Sequence, residues 1–303
     1  MKRQNGASLM NPKYKRPVNP VFAVGVTSSA IVALIASVLY GVAYHNNYDT
    51  VLRHYDVGAT LPTVFGVLLL MSAVIFAAAS LILRRKTVIK ESSLTPGETF
   101  SLWLAAIIFF VFGVFSFATG EGVQFASKLG EVCTKATAPL AMMSSISFFC
   151  GASEKLNGTS IHKVASFAPV LWGISLLFKY YFAISNMPLN DPELSLTMVS
   201  ISAALVFSLS ECRSALGVNT VSGAVFSASA GLCMTGAASA ARLVLWKIDG
   251  LITPSPTESV MLFAVAVMAG ARLYSMRHSI VPAPVEIKED ENSNEKGNET
   301  DDE

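Results

Sequence analysis

The stretch TVSGAVFSASAGLCMTGAASAA, residues 220–241, decides the fold class of this chain. Seventeen of its twenty-two residues are Gly, Ala, Ser, Thr or Cys, and it contains no proline and no charge. On a helix, every fourth residue falls into one ridge of small side chains, formed by Gly223, Ser227, Gly231 and Thr235. Small residues let neighbouring helices approach closely in a bilayer and gain packing contacts there. The stretch therefore predicts a transmembrane helix at the centre of a helix bundle.

The composition of the whole chain agrees with that interpretation. Of 303 residues, 52% are hydrophobic and 14% are charged, whereas soluble domains carry about 25% charged residues. The apolar residues lie in long blocks separated by short polar connectors, which is typical of an α-helical protein that crosses the lipid bilayer many times. The net charge of +1, with no basic patch interleaved with aromatic residues, gives no indication of nucleic-acid binding.

Eight apolar blocks predict an all-α bundle of eight transmembrane helices within residues 21–276. The predicted spans are residues 21–44, 59–83, 100–118, 138–152, 164–184, 194–210, 220–246 and 259–276. The fourth block is short and rich in serine, and residues 119–137 before it are interpreted as a connector. Without this fourth span, the orientation of every later span would be inverted. The serine-rich fourth and sixth spans are expected to be the closest neighbours of the seventh, because hydroxyl groups suit close helix contacts.

The two ends of the chain carry opposite charge. Residues 1–20 are basic and predict a cytoplasmic N-terminal segment, while residues 277–303 carry nine acidic residues from Glu286 onward and predict a disordered cytoplasmic tail. With eight spans, fifteen Lys and Arg residues lie on the inside and four on the outside, a distribution that the positive-inside rule favours.

Two basic residues within the spans are candidates for ligand binding. Lys179 and Arg242 lie near the predicted outer ends of spans five and seven, with Tyr180 and Trp246 at a similar level. Together they predict an outward-facing cleft for a small anionic ligand, lipid headgroup or solute. The alternative is that the two basic side chains reach up to the interface as anchors and that the aromatic residues form an interfacial belt.

At the inner side, Glu211 ends span six and Arg272 lies near the end of span eight. The two are expected to pair and to hold these spans together, which is a structural role.

Motifs of enzymes and metal sites are missing from the sequence. It has no HExxH, GxSxG or phosphate-loop pattern, and its four cysteines lack metal-ligand spacing. His45, His54, Asp49 and Asp56 form a His/Asp group in the first outer loop, either a metal site or a solvated loop. We expect a non-enzymatic protein with no catalytic residue, no cofactor and no metal.

Short segments in spans five to seven carry a resemblance. The run APVLW at residues 168–172, Lys179, the run ECR at residues 211–213 followed by Gly217, and Arg242 are similar to uncharacterised multi-pass membrane proteins of Gram-positive anaerobic bacteria. The resemblance implies a protein of the bacterial cytoplasmic membrane and implies no activity.

Two functions follow as expectations. In the first, the protein binds or transports a small solute or lipid through the outward-facing cleft. In the second, it is a membrane scaffold or assembly subunit, in which the ridge of the seventh span packs against a second protomer or a partner subunit and the acidic tail recruits a cytoplasmic partner.

Overall fold

The computed structural model describes residues 20–49, 54–89, 94–119, 128–183, 192–249 and 255–282. The predicted basic segment 1–20 and acidic tail 277–303 fall largely outside these ranges. Within them, seven helices are long and apolar enough, by length and composition, to cross a membrane. Large apolar side chains also face outward from the bundle, among them Leu34 and Phe100, which are 70% and 68% exposed. The chain is an all-α, multi-pass membrane protein whose outer surface contacts lipid.

The described residues form ten α-helices, one π-helical turn and four short strands. The helices are α1 Pro20–Asn47, α2 Thr60–Lys86, α3 Pro96–Thr119, α4 Lys128–Ala152, α5 Ser160–Ala165, α6 Phe167–Ala183, α7 Pro192–Ala215, α8 Val221–Ala230, α9 Gly236–Asp249 and α10 Pro256–Ser279. Strands β1 Tyr48–Asp49 and β2 His54–Tyr55 pair antiparallel between α1 and α2, and β3 Thr87–Ile89 pairs antiparallel with β4 Ile280–Pro282. The second pair joins the ends of α2 and α10.

The predicted seventh span is the most buried of the seven candidate spans. Helix α8, the π-helical turn Gly231–Thr235 and helix α9 follow one another without a break. Of the 18-residue apolar stretch in this span, 67% is buried inside the protein, whereas 22% of the corresponding stretch of the first span is buried. Ser227, Gly231 and Thr235 of the ridge are buried, and Gly223 is half-buried. The ridge therefore packs within its own chain.

The neighbours of this central helix differ in part from the prediction. Helix α7 is a neighbour as expected, and Thr235 Oγ1 donates to the Ser200 carbonyl at 3.0 Å. The others are α1, α2 and α10; a Cβ added at Gly231 would lie 3.2 Å from the Ala269 Cβ of α10. The prediction for the fourth span was wrong, because among the described residues α4 packs against α3, α5 and α6. Its serines bond to their own helix, as Ser144 does to a carbonyl four residues before it.

Helix α4 is longer than the sequence predicted. It begins at Lys128, inside the expected connector 119–137, and runs for 25 residues, or about 37 Å. Its polar first turns carry an exposed ion pair one helical turn apart, in which Lys135 Nζ lies 2.6 Å from Glu131 Oε1. The helix runs antiparallel to α3, since Gly113 approaches Met142 at one end of the pair and Gly151 approaches Leu102 at the other.

The predicted fifth span is divided into α5 and α6. The break occurs at Ser166. Pro169 lies in the first turn of α6, where its missing N–H costs little.

Candidate functional site

The bundle has two ends, which we name by the helix termini found there. The inner face holds the start of α1 and the ends of α7 and α10, and the outer face holds the end of α1 and the starts of α7 and α10. Ionisable side chains form clusters at both faces; the charged members at the outer face are buried, and at the inner face one of three is buried and two are half-buried. Because burying such groups in a membrane protein is costly, these clusters are the candidate functional sites.

Three buried glutamates begin three of the helices. Glu98, Glu193 and Glu258 each follow a proline in the first helical turn, within the sequences TPGE, DPE and SPTE, and they are 6%, 4% and 2% exposed. Proline suits the first helical position and a carboxylate suits the positive end of the helix dipole. All three glutamates lie just before the predicted spans, in segments predicted as connectors, and the sequence did not indicate them as partners of the basic residues.

Two of the three glutamates belong to a sequence pattern that marks the start of a helix. Ser255 and Glu258 form a capping box, in which Glu258 N donates to Ser255 Oγ at 3.4 Å and Ser255 N donates to Glu258 Oε2 at 3.3 Å. Thr95 and Glu98 have the same spacing, and Glu98 N donates to Thr95 Oγ1 at 3.4 Å. The pattern [ST]-P-x-E could therefore have identified both helix starts.

At the outer face, Arg242 is enclosed in a network with Glu193. Its Nη2 donates to Thr197 Oγ1 at 2.9 Å and to the Glu193 carbonyl at 3.2 Å, and it lies 3.3 Å from Glu193 Oε2. Its Nε donates to the Tyr40 hydroxyl at 3.1 Å, and Tyr40 donates in turn to Glu193 Oε2. Arg242 is 1% exposed. The network joins α1, α7 and α9.

Strand β2, in the connection between α1 and α2, adds a further hydrogen bond to this network. The Tyr55 hydroxyl of β2 donates to Glu193 Oε1 at 2.8 Å. Burial, together with the negative charge of Glu193, raises the pKa of the Tyr55 phenol, so the hydroxyl stays protonated and acts as a donor. The Glu193 carboxylate therefore receives hydrogen bonds on both of its oxygens.

A second outer network contains Lys179. Its Nζ lies 2.8 Å from Glu258 Oε1, and Tyr180 donates from its hydroxyl to Glu258 Oε2. All three side chains are buried, with Lys179 4% exposed. The network joins α6 to the start of α10.

These contacts change the interpretation of the predicted outward-facing cleft. Lys179, Tyr180 and Arg242 are buried and each is bonded within a network that contains a glutamate, so they do not line an open cleft for an anion. The two basic residues do not reach the interface as anchors either. Trp246 lies on α9, and its side chain is outside the part that the structure describes.

At the inner face, Arg272 lies between two carboxylates. Its Nη1 donates to Glu98 Oε1, and its Nε lies 3.2 Å from Glu211 Oε1. The pairing of Glu211 with Arg272 is the one that the sequence suggested, and Glu98 is the partner that it missed. The side chains of Arg272 and Glu211 are 27% and 37% exposed, whereas that of Glu98 is 8% exposed. This cluster joins α3, α7 and α10.

A cavity of about 610 Å³ contains this inner cluster. Exposed loop residues line its mouth, among them Asn157, Gly158 and Gly217, and the buried rings of Phe148 and Phe207 line its interior. Phe207 lies eight residues before the end of α7, so the cavity enters the bundle by about 12 Å. Its other polar lining includes Ser101, Ser147, Ser166, Ser208, Asn219 and Ser275. The cavity combines charge, hydroxyl groups and aromatic surface at one place.

Comparisons with protein-family models, with curated proteins and with solved structures gave no match. The function must therefore be argued from the site itself. The predicted His/Asp group does not assemble into a metal site, since the described residues hold no group of three or more His, Cys, Asp or Glu placed for a metal ion. All four cysteines are free thiols.

Proposed function

We propose that this protein is a non-enzymatic membrane carrier that binds a small solute in the inner cavity. The observation that supports this most is the cavity of about 610 Å³ around Glu98, Glu211 and Arg272. Ligand sites typically have volumes of about 300–1,000 Å³, mostly apolar walls and a few convergent polar groups. Ionisable residues inside helix bundles commonly mark the path of a solute or ion. The cavity combines both features.

The outer face supports a carrier rather than a channel. There the two buried ion pairs, Arg242 with Glu193 and Lys179 with Glu258, hold the helix ends together. A carrier exposes its site to one side of the membrane at a time by rearranging helices around that site. We interpret the structure as the form in which the cavity faces inward and the two ion pairs close the outer side.

The orientation follows from eight spans with both termini in the cytoplasm. We count α4 as the eighth span because it is about as long as the other spans and packs antiparallel to α3. The inner face is then the side of the basic residues 1–20, which the positive-inside rule places in the cytoplasm. With the resemblance described above, we place the protein in the bacterial cytoplasmic membrane.

The alternative of a scaffold loses its main support. It required the ridge of the seventh span to meet another protomer or a partner subunit, and Ser227, Gly231 and Thr235 of that ridge are buried within their own chain. We therefore propose no partner subunit.

Thiol labelling tests whether the cavity is hydrated and on which side it opens. In a variant with all four native cysteines changed to alanine, Ser208→Cys places a thiol in the cavity and Ser200→Cys places one deeper on the same helix. We expect a membrane-impermeant maleimide to label Ser208→Cys in inside-out vesicles and not in right-side-out vesicles. Ser200→Cys should react in neither, because Ser200 is fully buried and outside the cavity lining.

A further variant tests the carrier cycle. Removing an outer ion pair as a pair, with Lys179→Met and Glu258→Gln, should weaken the outer closure without leaving a buried unpaired charge. Labelling of Ser208→Cys from the outer side should then increase. If Ser208→Cys is unreactive from both sides, the cavity is not a solute site. If it reacts only from the inner side in both backgrounds, the proposal that this ion pair closes the outer side of a carrier is wrong.

A further inference from the structure

We propose that the solute of the inner cavity is a small organic cation with an ammonium group, and that Glu211 is the carboxylate that binds it. This inference rests on the proposed function, and it adds the chemical class of the solute. Three observations support it: the sum of charges in the cavity, the different surroundings of the two carboxylates, and the aromatic walls.

The charges in the cavity do not balance. Among the described residues that line it, Glu98 and Glu211 carry two negative charges and Arg272 carries one positive charge. His162 and Cys212 also line the cavity and add nothing to the formal charge, in which histidine is counted as neutral. The formal sum is one negative charge in a site partly shielded from water, where an unbalanced charge attracts an ion of opposite sign.

The two carboxylates differ in how they meet Arg272. Glu98 is almost fully buried and accepts a hydrogen bond from Arg272 Nη1. Glu211 is the more exposed of the two and approaches Nε at 3.2 Å, yet Nε has no hydrogen-bond partner among the described residues. The three side chains together carry one net negative charge, and Glu211, the more exposed of the two carboxylates, presents it toward the cavity.

The walls favour an organic cation over a metal ion. The rings of Phe148 and Phe207 line the cavity, and the face of an aromatic ring attracts a cation through its quadrupole. The thioethers of Met268 and Met276 add apolar surface. Ca²⁺ and Mg²⁺ instead need about six oxygen ligands, and the described residues offer no group of three metal ligands. An ammonium group on a small apolar body fits both the charge and the walls.

Binding of defined probes to the full-length protein in detergent tests this inference. We would measure the shift of the unfolding midpoint with butylammonium, choline and putrescine chlorides, at constant ionic strength. The control probe is 3,3-dimethyl-1-butanol, which has the shape of choline without its charge. At least one ammonium probe should raise the midpoint, and the uncharged alcohol should not. If no ammonium probe binds, or if the alcohol binds as well as choline, the inference is wrong.

Substitutions then test the role of Glu211. Glu211→Gln should weaken binding of the active probe about tenfold or more, because the charge within contact distance is lost. Glu211→Asp should retain binding within a few fold. Glu131→Gln makes the same change at an exposed position on α4, outside the cavity lining, and this variant should bind the probe like the unchanged protein. Equal affinity in Glu211→Gln would overturn the assignment.

Protection of the Ser208→Cys thiol distinguishes this inference from the proposed function and does not depend on folding of the Glu211 variants. The ammonium probe should slow maleimide labelling, and the uncharged alcohol should not. If the thiol is reactive and no ammonium probe slows the reaction, the cavity remains a solute site and the cation class is wrong. If the thiol is unreactive from both sides, the proposed function fails together with this inference.

Discussion

Replacing Arg242 with methionine tests how the outer face is held together. Arg242 makes hydrogen bonds to Tyr40 and Thr197 and to both the carbonyl and the carboxylate of Glu193. In Arg242→Met, the Glu193 carboxylate stays buried without its cation. Removing one partner of a buried pair costs about 3–5 kcal/mol, so we expect a loss of that size in the free energy of unfolding.

The paired substitution should recover part of this loss. In the double variant Glu193→Met with Arg242→Met, neither charge of this ion pair remains, and apolar replacements of buried pairs are often neutral or stabilising. The hydroxyls of Tyr40 and Tyr55 then lose their acceptor, at a cost of about 1–3 kcal/mol. We expect the double variant to lie between the single variant and the unchanged protein.

Thermal unfolding in a mild detergent measures both effects. For a chain of this size, 1 kcal/mol corresponds to roughly 2–4 °C, so Arg242→Met should lower the unfolding midpoint by roughly 6–20 °C. Lys135→Met removes the exposed pair on α4 and should leave the midpoint unchanged, which makes it the matched control. A single variant as stable as the unchanged protein, or a double variant less stable than the single one, would refute the reasoning.

Two further predictions concern the second outer network and the central helix. Lys179→Met should lower the free energy of unfolding by about 3–5 kcal/mol, because it leaves a buried glutamate without its cation. Tyr180→Phe removes one hydrogen bond to the same carboxylate and should cost less, about 1.5–3 kcal/mol; a Tyr180→Phe loss as large as that of Lys179→Met would contradict this difference. Gly231→Ala should destabilise by about 1–3 kcal/mol, since its Cβ would lie 3.2 Å from the Cβ of Ala269. A Cβ added at Gly66 on α2 would have no atom within 4 Å, so Gly66→Ala should raise the free energy of unfolding by about 0.5–1 kcal/mol. A comparable loss of stability at both glycines in thermal unfolding would refute the packing argument.

Much of the fold could be predicted because hydrophobic patterning reports which residues avoid water. Seven of the eight predicted spans correspond to the seven candidate spans, the fourth (residues 138–152) not being among them, and the small-residue stretch 220–241 marked the most buried of the seven. The polar start of α4 was missed, because an exposed helical turn carrying Glu131 and Lys135 looks like a connector when hydropathy is read alone.

The candidate site was harder to predict because its members are far apart in the sequence. Lys179 and Arg242 were found as basic residues in apolar spans, but their partners Glu193 and Glu258 stand at helix starts, where a glutamate is ordinary. The inner cavity is lined by residues of α3, α4, α5, α6, α7 and α10, and which helices meet there depends on their packing. Only Glu211 with Arg272, two opposite charges at one predicted face, was accessible from the sequence.

The hydrogen bond between Tyr40 and Arg242 can form only late in biosynthesis. The two residues are 202 positions apart, and a ribosome adds roughly 5–20 residues per second. Tyr40 is therefore made about 10–40 s before Arg242. Glu193 is made 49 residues before the same arginine. Until then its carboxylate is best kept hydrated near the lipid surface. The outer end of the bundle is therefore completed late, and nascent chains released before Arg242 is made would leave Glu193 without its cation.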